Sequence, residues 1–505
     1  MVDTVPDLAA KRAEISPDKT AFHDVASARR LTFADVNARA DRIAHALSRL
    51  AGPGERIAIL CQNRCEFFDI LFACQKAQLI LVPLNWRQPA AELAPVVGGV
   101  DARVLLFDNA FAATAAALAV RVQGLALVAL DTGDADGRAL GEIAADAPAG
   151  PFGPGRRAAG DAWYLLHTSG TTGQPKAVIQ TFGMAIANAV NVGQAIDLVS
   201  TDTSVNFLPL FHTAGINLYT LPLFLAGGLS HVLAKFDPGA VLRLTSAGEV
   251  TQFFGVPAIY QALSLDAGFA AADFSRTRGF GCGGAPLPEP LIRLYAERGV
   301  RVCNGYGMTE TGPTVFLNDA ANTTRKIGSV GKAQLLAETR LVAPDGAVVG
   351  GAGTGELQVR GAVVTPGYFG NADATRAAFT SDGWLRTGDI ARRDEDGYFY
   401  IVDRIKDMYI SGGENVYPAE VETVLLTHPA ILEVAVVGVP DPTWGEAGRA
   451  YLIPRGGATL DTAALPAWCR ERIAAYKIPR SFVVLSDFPR TAAGKIQKHL
   501  LKATA

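Results

Sequence analysis

Nine consecutive residues, from Thr168 to Lys176, combine the chemical groups that hold a polyphosphate. The stretch reads TSGTTGQPK and contains four hydroxyl side chains, two glycines and one lysine. Glycines let a backbone turn tightly and expose its N–H groups, and the hydroxyls and the lysine add donors and positive charge. A Walker-type loop is excluded because Gln174 and Pro175 separate Gly173 from Lys176. Taken alone, the stretch also fits an ordinary turn of a β-hairpin.

A second group of chemically useful residues lies at Asn304–Glu310, which reads NGYGMTE. Tyr306 offers an aromatic face between two glycines, which suits stacking on a nucleobase. Thr309 offers a hydroxyl to a phosphate, and Glu310 offers a hard oxygen ligand to Mg²⁺. A strand followed by a turn with a capping Thr-Glu pair is the alternative for this segment.

Other residues indicate a function only when they are considered together with these two motifs. Four glycines in the eight residues 279–286 indicate either a flat ligand against the backbone or a tight loop. Asp389 ends the segment 383–389 and could accept hydrogen bonds from ribose hydroxyls, as acidic residues do in nucleotide sites, although a lone Asp in a turn would mean nothing. Lys495 follows a glycine near the chain end, where a lysine is usually only solvated charge. His212 ends the predicted apolar strand that starts at Phe207, where a packed histidine is the common case.

The order and spacing of these motifs resemble the adenylate-forming superfamily over essentially the whole chain. That superfamily includes acyl-CoA synthetases, luciferases and peptide-synthetase adenylation domains. The phosphate loop departs from the usual pattern only at Ala177, where glycine is common. The motifs DRIKDM at 403–408 and GGENVYP at 412–418 are most similar to those of bacterial fatty-acyl-CoA synthetases and feruloyl-type aryl-CoA synthetases.

The resemblance implies roles for individual residues. The implied catalytic residues are Lys495, Thr309, Glu310 and His212. The implied metal ligands are Thr168 and Glu310. The residues implied to bind the nucleotide or coenzyme A are Thr168, Ser169, Gly170, Thr171, Thr172, Gly173, Lys176, Gly283, Gly284, Ala285, Tyr306, Gly307, Asp389, Arg404, Lys406, Gly412 and Gly413.

The implied activity is that of an ATP-dependent acyl-CoA ligase, which uses Mg²⁺ and coenzyme A. A carboxylic acid would form an acyl-AMP with release of pyrophosphate, and coenzyme A would then take the acyl group with release of AMP. The acid is either a fatty acid or an aromatic acid of the cinnamate or ferulate type. Small residues at Gly281–Gly284 are expected to leave room for a long or flat acid. The candidate pocket residues are Phe211, His212, Gly215, Phe254, Gly281, Gly283, Gly307 and Met308.

Three other activities remain open at this point. An enzyme that loads an acyl group onto a carrier protein would use the same first step. A nucleotide-binding regulatory protein would use the same pocket without turnover, although Lys495 and Glu310 argue against it. A light-emitting oxygenase would need a special luciferin as its substrate.

Composition favours a soluble, cytoplasmic, globular protein. The 505 residues are 49% hydrophobic and 19% charged, and a net charge of −3 supplies no field to attract nucleic acid. Six scattered cysteines without a C-x-x-C pair indicate reduced thiols and no zinc ribbon. The N-terminus lacks the pattern of a signal peptide, and no apolar run reaches the ~20 residues of a membrane span. Peripheral membrane contact stays open, as does the choice between monomer and homodimer.

Alternating helix and strand patterns predict an α/β fold that positions these groups. Apolar runs at 162–166 and 177–181 predict strands on both sides of the phosphate loop. An aromatic strand that ends in alternating charges near Lys406 predicts the domain boundary. We therefore expect a large, multi-lobed N-terminal domain of sheets flanked by helices (1–404). We also expect a small, mobile α+β lid domain (405–505) that contains a helix at 462–476.

Overall fold

The computed structural model describes residues 3–131, 139–153, 155–168, 175–404, 406–411, 414–456, 458, 460–491 and 494–503. Within these residues the strands form six sheets, and helices cover most of the larger ones. The mixed α/β architecture confirms the predicted fold class. No described helix has both the length and the apolar character that crossing a membrane requires.

The largest sheet carries the phosphate-loop hairpin at its edge. In spatial order its strands are Lys176–Thr181, Ala162–Thr168, Ile80–Pro83, Arg56–Leu60, Ala102–Phe107 and Ala126–Ala129. All neighbours run parallel except the first pair, which is antiparallel and places Lys176 opposite Thr168. The parallel strands are continuous apolar runs, as expected for strands buried on both faces.

Four more sheets complete the N-terminal part of the chain. A short pair joins Thr4–Val5 to Arg157–Ala158. A four-stranded sheet has the order Thr203–Asn206, Leu229–Val232, Thr20–Asp24 and Arg30–Thr32. A five-stranded sheet has the order Gln252–Gly255, Gly279–Cys282, Val302–Tyr306, Phe316–Leu317 and Lys332–Ala333. A second four-stranded sheet has the order Ala337–Val342, Gly353–Gly361, Leu385–Arg393 and Phe399–Arg404.

The helices of this part begin and end at sequence signals that favour those positions. Thr32 caps the helix Phe33–Leu47 through a capping box with Asp35, and Pro257 starts another helix at its first position. The α-helices are Leu8–Ile15, Phe33–Leu47, Cys65–Ala77, Ala90–Gly99, Ala112–Arg121, Leu140–Ala145, Phe182–Ala195, Thr220–Ala226, Pro238–Ser246, Pro257–Leu265, Glu289–Glu297 and Ala372–Ala378. The shorter helical turns are Asn109–Phe111, Ala214–Leu218, Phe269–Ala271 and Thr309–Thr311.

The C-terminal part has its own sheet and apolar core. Its strand order is Glu414–Val416, Tyr409–Ser411, Gly445–Pro454 and Ile431–Asp441, with Ser481–Val484 also paired to Gly445–Pro454. Its helices are Pro418–Leu426, Leu465–Arg470 and Lys498–Ala503, with a turn at Ala475–Lys477. The predicted helix at 462–476 is therefore too long. The α-helix covers only Leu465–Arg470, and a separate short turn at Ala475–Lys477 follows it.

Candidate active site

The antiparallel hairpin holds the two ends of the predicted phosphate loop together. Thr168 ends one strand and Lys176 begins the next, directly opposite it. The loop between them, with Ser169, Gly170, Thr171, Thr172 and Gly173, lies outside the described residues, and so do Gly412 and Gly413 of the predicted thioester loop.

Glu310 lies in a buried pocket together with Tyr368. The Tyr368 hydroxyl donates a hydrogen bond of 2.9 Å to Oε1 of Glu310, and the Lys176 amine lies 5.0 Å from the centroid of the Tyr368 ring. Burial raises the pKa of Glu310, whereas the Tyr368 bond and the charges of Arg404 and Lys176 act in the opposite direction. A buried carboxylate of this kind is a suitable ligand for a hard cation such as Mg²⁺.

Backbone hydrogen bonds hold the short turn Thr309–Thr311 in place. The carbonyl of Thr309 accepts a bond of 2.8 Å from the buried side chain of Gln180, which belongs to the hairpin strand Lys176–Thr181. The carbonyl of Glu310 accepts a bond of 2.8 Å from the amide of Thr365. The position of Thr309 and Glu310 is therefore tied to the hairpin that flanks the phosphate loop.

Tyr306, Asp389 and Arg404 form the adjoining wall. The Tyr306 hydroxyl donates to Oδ2 of Asp389 at 2.5 Å, and Arg404 Nε lies 3.2 Å from Oδ1 of the same carboxylate. Asp389 is 4% exposed and lies within the strand Leu385–Arg393, directly opposite Arg404. Asp389 is therefore a strand residue and not a turn residue.

Glycines near this wall allow backbones to approach each other closely. A Cβ at Gly307 would lie 1.4 Å from the carbonyl oxygen of Pro313, so no larger residue fits there. A Cβ at Gly283 would lie 3.1 Å from the Phe254 ring and 3.3 Å from the carbonyl oxygen of Gly305. Ala285 lies exposed on the loop that follows.

Lys495 reaches this crevice from the C-terminal part of the chain. Its Cε would lie 3.7 Å from a Cβ built on Gly284. The residue as a whole is exposed to solvent, and its side chain extends to Gly284. Burial lowers the pKa of the amine, the charge of Arg404 lowers it further, and the carboxylates of Asp389 and Glu310 raise it. Four residues that the sequence predicted to share one site therefore interact electrostatically, namely Lys495, Arg404, Asp389 and Glu310.

His212 borders the crevice on the side of the expected acyl pocket. Burial lowers its pKa to about 4, and the charges of Lys495 and Arg87 act in the same direction. Its Nε2 atom is buried without a hydrogen-bond partner among the described residues. A neutral imidazole with an unpartnered nitrogen can therefore contact a substrate.

The expected strand from Phe207 to His212 is wrong. The strand ends at Asn206, and the amide of His212 closes a turn onto the carbonyl of Pro209. Proline cannot supply the N–H that a continuing sheet ladder requires.

Tyr219 and Phe254 close the acyl side, and the sequence had not singled out Tyr219. Their rings pack edge to face with centroids 5.6 Å apart. A Cβ on Gly281 would lie 2.7 Å from the Tyr219 hydroxyl oxygen and 2.8 Å from Phe254. The space that Gly281 leaves is therefore filled by aromatic rings and does not lengthen the pocket.

A cavity of about 10 Å³ lies against this aromatic wall, which is room for about one water molecule. Its lining includes Leu208, Leu218, Tyr219 and Phe254. The helical turn Ala214–Leu218 fixes the place of Tyr219, and its wide π-type geometry is frequent at functional sites. A Cβ on Gly215 in this turn would lie 2.4 Å from the carbonyl oxygen of Pro209, so that residue serves close packing.

The structure also shows where two further predicted site residues lie, Met308 and Lys406. Met308 precedes the Thr309 turn, and its amide donates to the Thr311 hydroxyl. Lys406 lies exposed in the turn after the strand Phe399–Arg404 and before the strand Tyr409–Ser411. Its role as a hinge stays a prediction. Tyr368, Gln180 and Arg87 were not predicted, because their relation to the site depends on contacts between distant segments.

Comparison with protein families and known proteins matches this geometry to one group. The family described as AMP-binding enzyme matches residues 9–369, and its C-terminal domain matches residues 420–495. A feruloyl-CoA synthase of Amycolatopsis sp is 41% identical over 490 residues, which cover 97% of this chain and 96% of that protein. The long-chain-fatty-acid–CoA ligase FadD13 of Mycobacterium tuberculosis is 34% identical over 498 residues, with 97% and 96% covered.

Solved structures agree over the whole length. The o-succinylbenzoate CoA synthetase of Bacillus subtilis, in complex with its acyl-adenylate intermediate, has a TM-score of 0.88 and 31% identity, and 99% of each chain is covered. The same enzyme in complex with ATP and a magnesium ion also has a TM-score of 0.88 and 31% identity, covering 99% of this chain and 100% of that one.

Proposed function

The chain belongs to the AMP-binding enzyme family and is an AMP-forming acid–thiol ligase, and we propose that its acid is a compact aromatic one of the cinnamate or ferulate type. The proposal includes the roles of individual residues and the division of the chain into residues 1–404 and a lid of residues 405–505. It rests most directly on one observation. The amine of Lys495 lies in the same crevice as Glu310, Asp389 and Arg404.

The first step joins two anions, so the site has to neutralise charge and align the reactants. A carboxylate oxygen of the acid attacks the α-phosphorus of ATP, and pyrophosphate leaves. Lys495 bridges the acid carboxylate and the α-phosphate from one side, and Thr309 donates to the same phosphate from the other. No general base is needed, because the attacking carboxylate is already ionised.

The remaining charged groups bind the nucleotide. Lys176 and the loop after Thr168 contact the departing phosphates, while Tyr306 stacks on the adenine and Asp389 accepts from the ribose. Thr168 and Glu310 would hold Mg²⁺, whose charge offsets that of the phosphate oxygens when it is bound. The buried Glu310 carboxylate and its Tyr368 donor fit such an ion.

The second step requires a different face of the lid. Coenzyme A attacks the acyl-adenylate carbonyl through its thiolate, and AMP leaves. The glycine loop at 412–413 serves this step, and the lid cannot present it together with Lys495. We infer that the lid rotates about Lys406 between the two steps, as in other hinge closures.

The aromatic wall is the main reason to prefer a flat acid over a long fatty acid. Tyr219 and Phe254 fill the space beyond Gly281, and the cavity beside them holds about one water molecule. A long alkyl chain that extended past Gly281 would have to displace two buried rings, whereas a short, flat acid would not extend that far. The 41% identity to the feruloyl-CoA synthase, against 34% to the fatty-acid ligase, supports the same choice.

A panel of acids tests this assignment. Purified protein would be given ATP, Mg²⁺, coenzyme A and one acid at a time, and AMP production would be measured. We expect cinnamate- and ferulate-type acids to have the highest kcat/KM and long-chain fatty acids the lowest. A preference for long-chain acids would reject the aromatic assignment while leaving the ligase class intact.

Transfer to a carrier protein is the alternative for the second step. Pyrophosphate release measured beside AMP in the same panel separates the two, since a carrier-loading enzyme would release pyrophosphate as it forms acyl-AMP but little AMP when coenzyme A is the acceptor. ATP and coenzyme A are both cytoplasmic, and we therefore also place the reaction there.

A further inference from the structure

Two histidines that the ligase chemistry does not use face each other on neighbouring strands. His23 and His231 are directly paired in the parallel strands Thr20–Asp24 and Leu229–Val232, so their side chains lie on the same face of the sheet. Their Nδ1 atoms are 2.9 Å apart. Glu249, which precedes a strand of another sheet, places a carboxylate oxygen 3.9 Å from Nε2 of His231. The three residues bring their ligand atoms within 4.8 Å of one another.

The hydrogen bonds of His231 determine which of its nitrogens carries the proton. Nε2 lies 3.0 Å from the carbonyl oxygen of Glu249. A carbonyl oxygen can only accept, so Nε2 must donate, and in the neutral ring Nδ1 then presents its lone pair towards His23. Histidines that bind metals have this arrangement, with one nitrogen bonded to a carbonyl or carboxylate and the other free to ligate.

We propose that His23, His231 and Glu249 bind one divalent transition-metal ion of the Zn²⁺ class, separate from the Mg²⁺ of the ligase reaction. Imidazole nitrogen and carboxylate oxygen are ligands that Zn²⁺ accepts. Two nitrogens at about 2.0–2.1 Å from a tetrahedral ion are about 3.3 Å apart, so the two rings need to separate by only a few tenths of an ångström. A fourth position would be left for water.

The surroundings of the two histidines are compatible with a bound cation. The His231 ring is buried and the His23 ring is partly buried, so both are shielded from bulk water. Glu249 and Asp24 supply negative charge next to the pair, and Arg30 opposes it. A bound ion would link two sheets of the N-terminal part, because Glu249 lies just before the strand Gln252–Gly255 and the histidines lie in the other sheet.

Cobalt titration of the full chain, after removal of metals with a chelator, tests the site. Co²⁺ replaces Zn²⁺ in such sites and has visible absorption when four-coordinate. We expect one Co²⁺ per chain with these bands, displaced by Zn²⁺ and not by Mg²⁺. His23→Asn and His231→Asn should abolish the bands, and Glu249→Gln should weaken binding about tenfold or more. His499→Ala, which changes an exposed histidine, is the matched control and should bind as the wild type does.

Adenylate formation measured without cobalt would show whether each variant is folded. If His231→Asn fails to fold because it is buried, His23→Asn and Glu249→Gln decide the matter, since both side chains are partly exposed. Absence of four-coordinate bands in the wild type would overturn the proposal. Equal binding by folded His23→Asn and wild-type protein would do the same.

Discussion

The hydrogen bond from Tyr368 to Glu310 makes a sharp prediction about pH. Burial raises the pKa of Glu310, and the Tyr368 hydroxyl partly offsets this because it stabilises the ionised carboxylate. Tyr368→Phe removes the donor and leaves the ring in place. The pKa of Glu310 should therefore rise further, so that a larger share of the enzyme at mildly acidic pH has a neutral Glu310 that cannot hold a hard cation.

The size of the effect follows from the kind of bond. A hydrogen bond to a charged group contributes about 1.5–3 kcal/mol, and 1.36 kcal/mol corresponds to about one pH unit. The acid limb of the pH profile for adenylate formation should move upwards by about one to two pH units. Well above that limb, where Glu310 is ionised in both proteins, the two rates should approach each other.

The assay is pyrophosphate release with saturating acid, ATP and Mg²⁺ between about pH 5 and 9, without coenzyme A. Tyr400→Phe is the matched control, because the Tyr400 hydroxyl also donates to a carboxylate, that of Asp394, at 3.1 Å and away from the crevice. Its profile should coincide with that of the wild type. A Tyr368→Phe profile that also coincides with the wild type, or one that moves to lower pH, would refute this account of Glu310.

Three other substitutions test separate parts of the site. Gly307→Ala places a Cβ 1.4 Å from the carbonyl oxygen of Pro313, and the rate of adenylate formation should fall about 100-fold. Gly350→Ala is the control, because a Cβ there has no atom within 4 Å and should leave the rate unchanged. Phe254→Ala should raise kcat/KM for para-alkyl cinnamates about fourfold per added methylene, from about 0.8 kcal/mol each, and an unchanged ranking of the series would contradict the aromatic wall. Lys406→Pro should spare adenylate formation and slow thioester formation when the two steps are measured separately, and equal losses would count against the hinge.

Local signals predicted much of the fold. The apolar runs at 162–166 and 177–181 identified the two strands beside the phosphate loop, which are Ala162–Thr168 and Lys176–Thr181. Motif order placed Lys495, Glu310 and Asp389 in one crevice although long stretches of chain separate them. The strand predictions are confirmed because each depended on neighbouring residues, whereas the roles of the site residues, which depend on a pattern shared by a family, stay predictions.

The wrong predictions and the site residues that were not predicted have a different cause. Asp389 was considered as a turn residue, but a strand continues through that position to pair with Arg404. Tyr219 and Tyr368 have no distinctive neighbours in the sequence, and only packing against Gly281 and Glu310 shows their part in the site. A glycine was expected to leave space, yet the sequence alone could not show that an aromatic ring from elsewhere fills it.

The central claim is that the amine of Lys495 activates the acid and takes no part in thioester formation. Lys495→Ala should therefore be measured in the two half-reactions separately, as pyrophosphate release without coenzyme A and as AMP release from supplied acyl-AMP with coenzyme A. We expect the first rate to fall about 10²- to 10³-fold, as when a donor that stabilises a transition state is removed, and the second to change little. Pyrophosphate release at the wild-type rate would contradict the account.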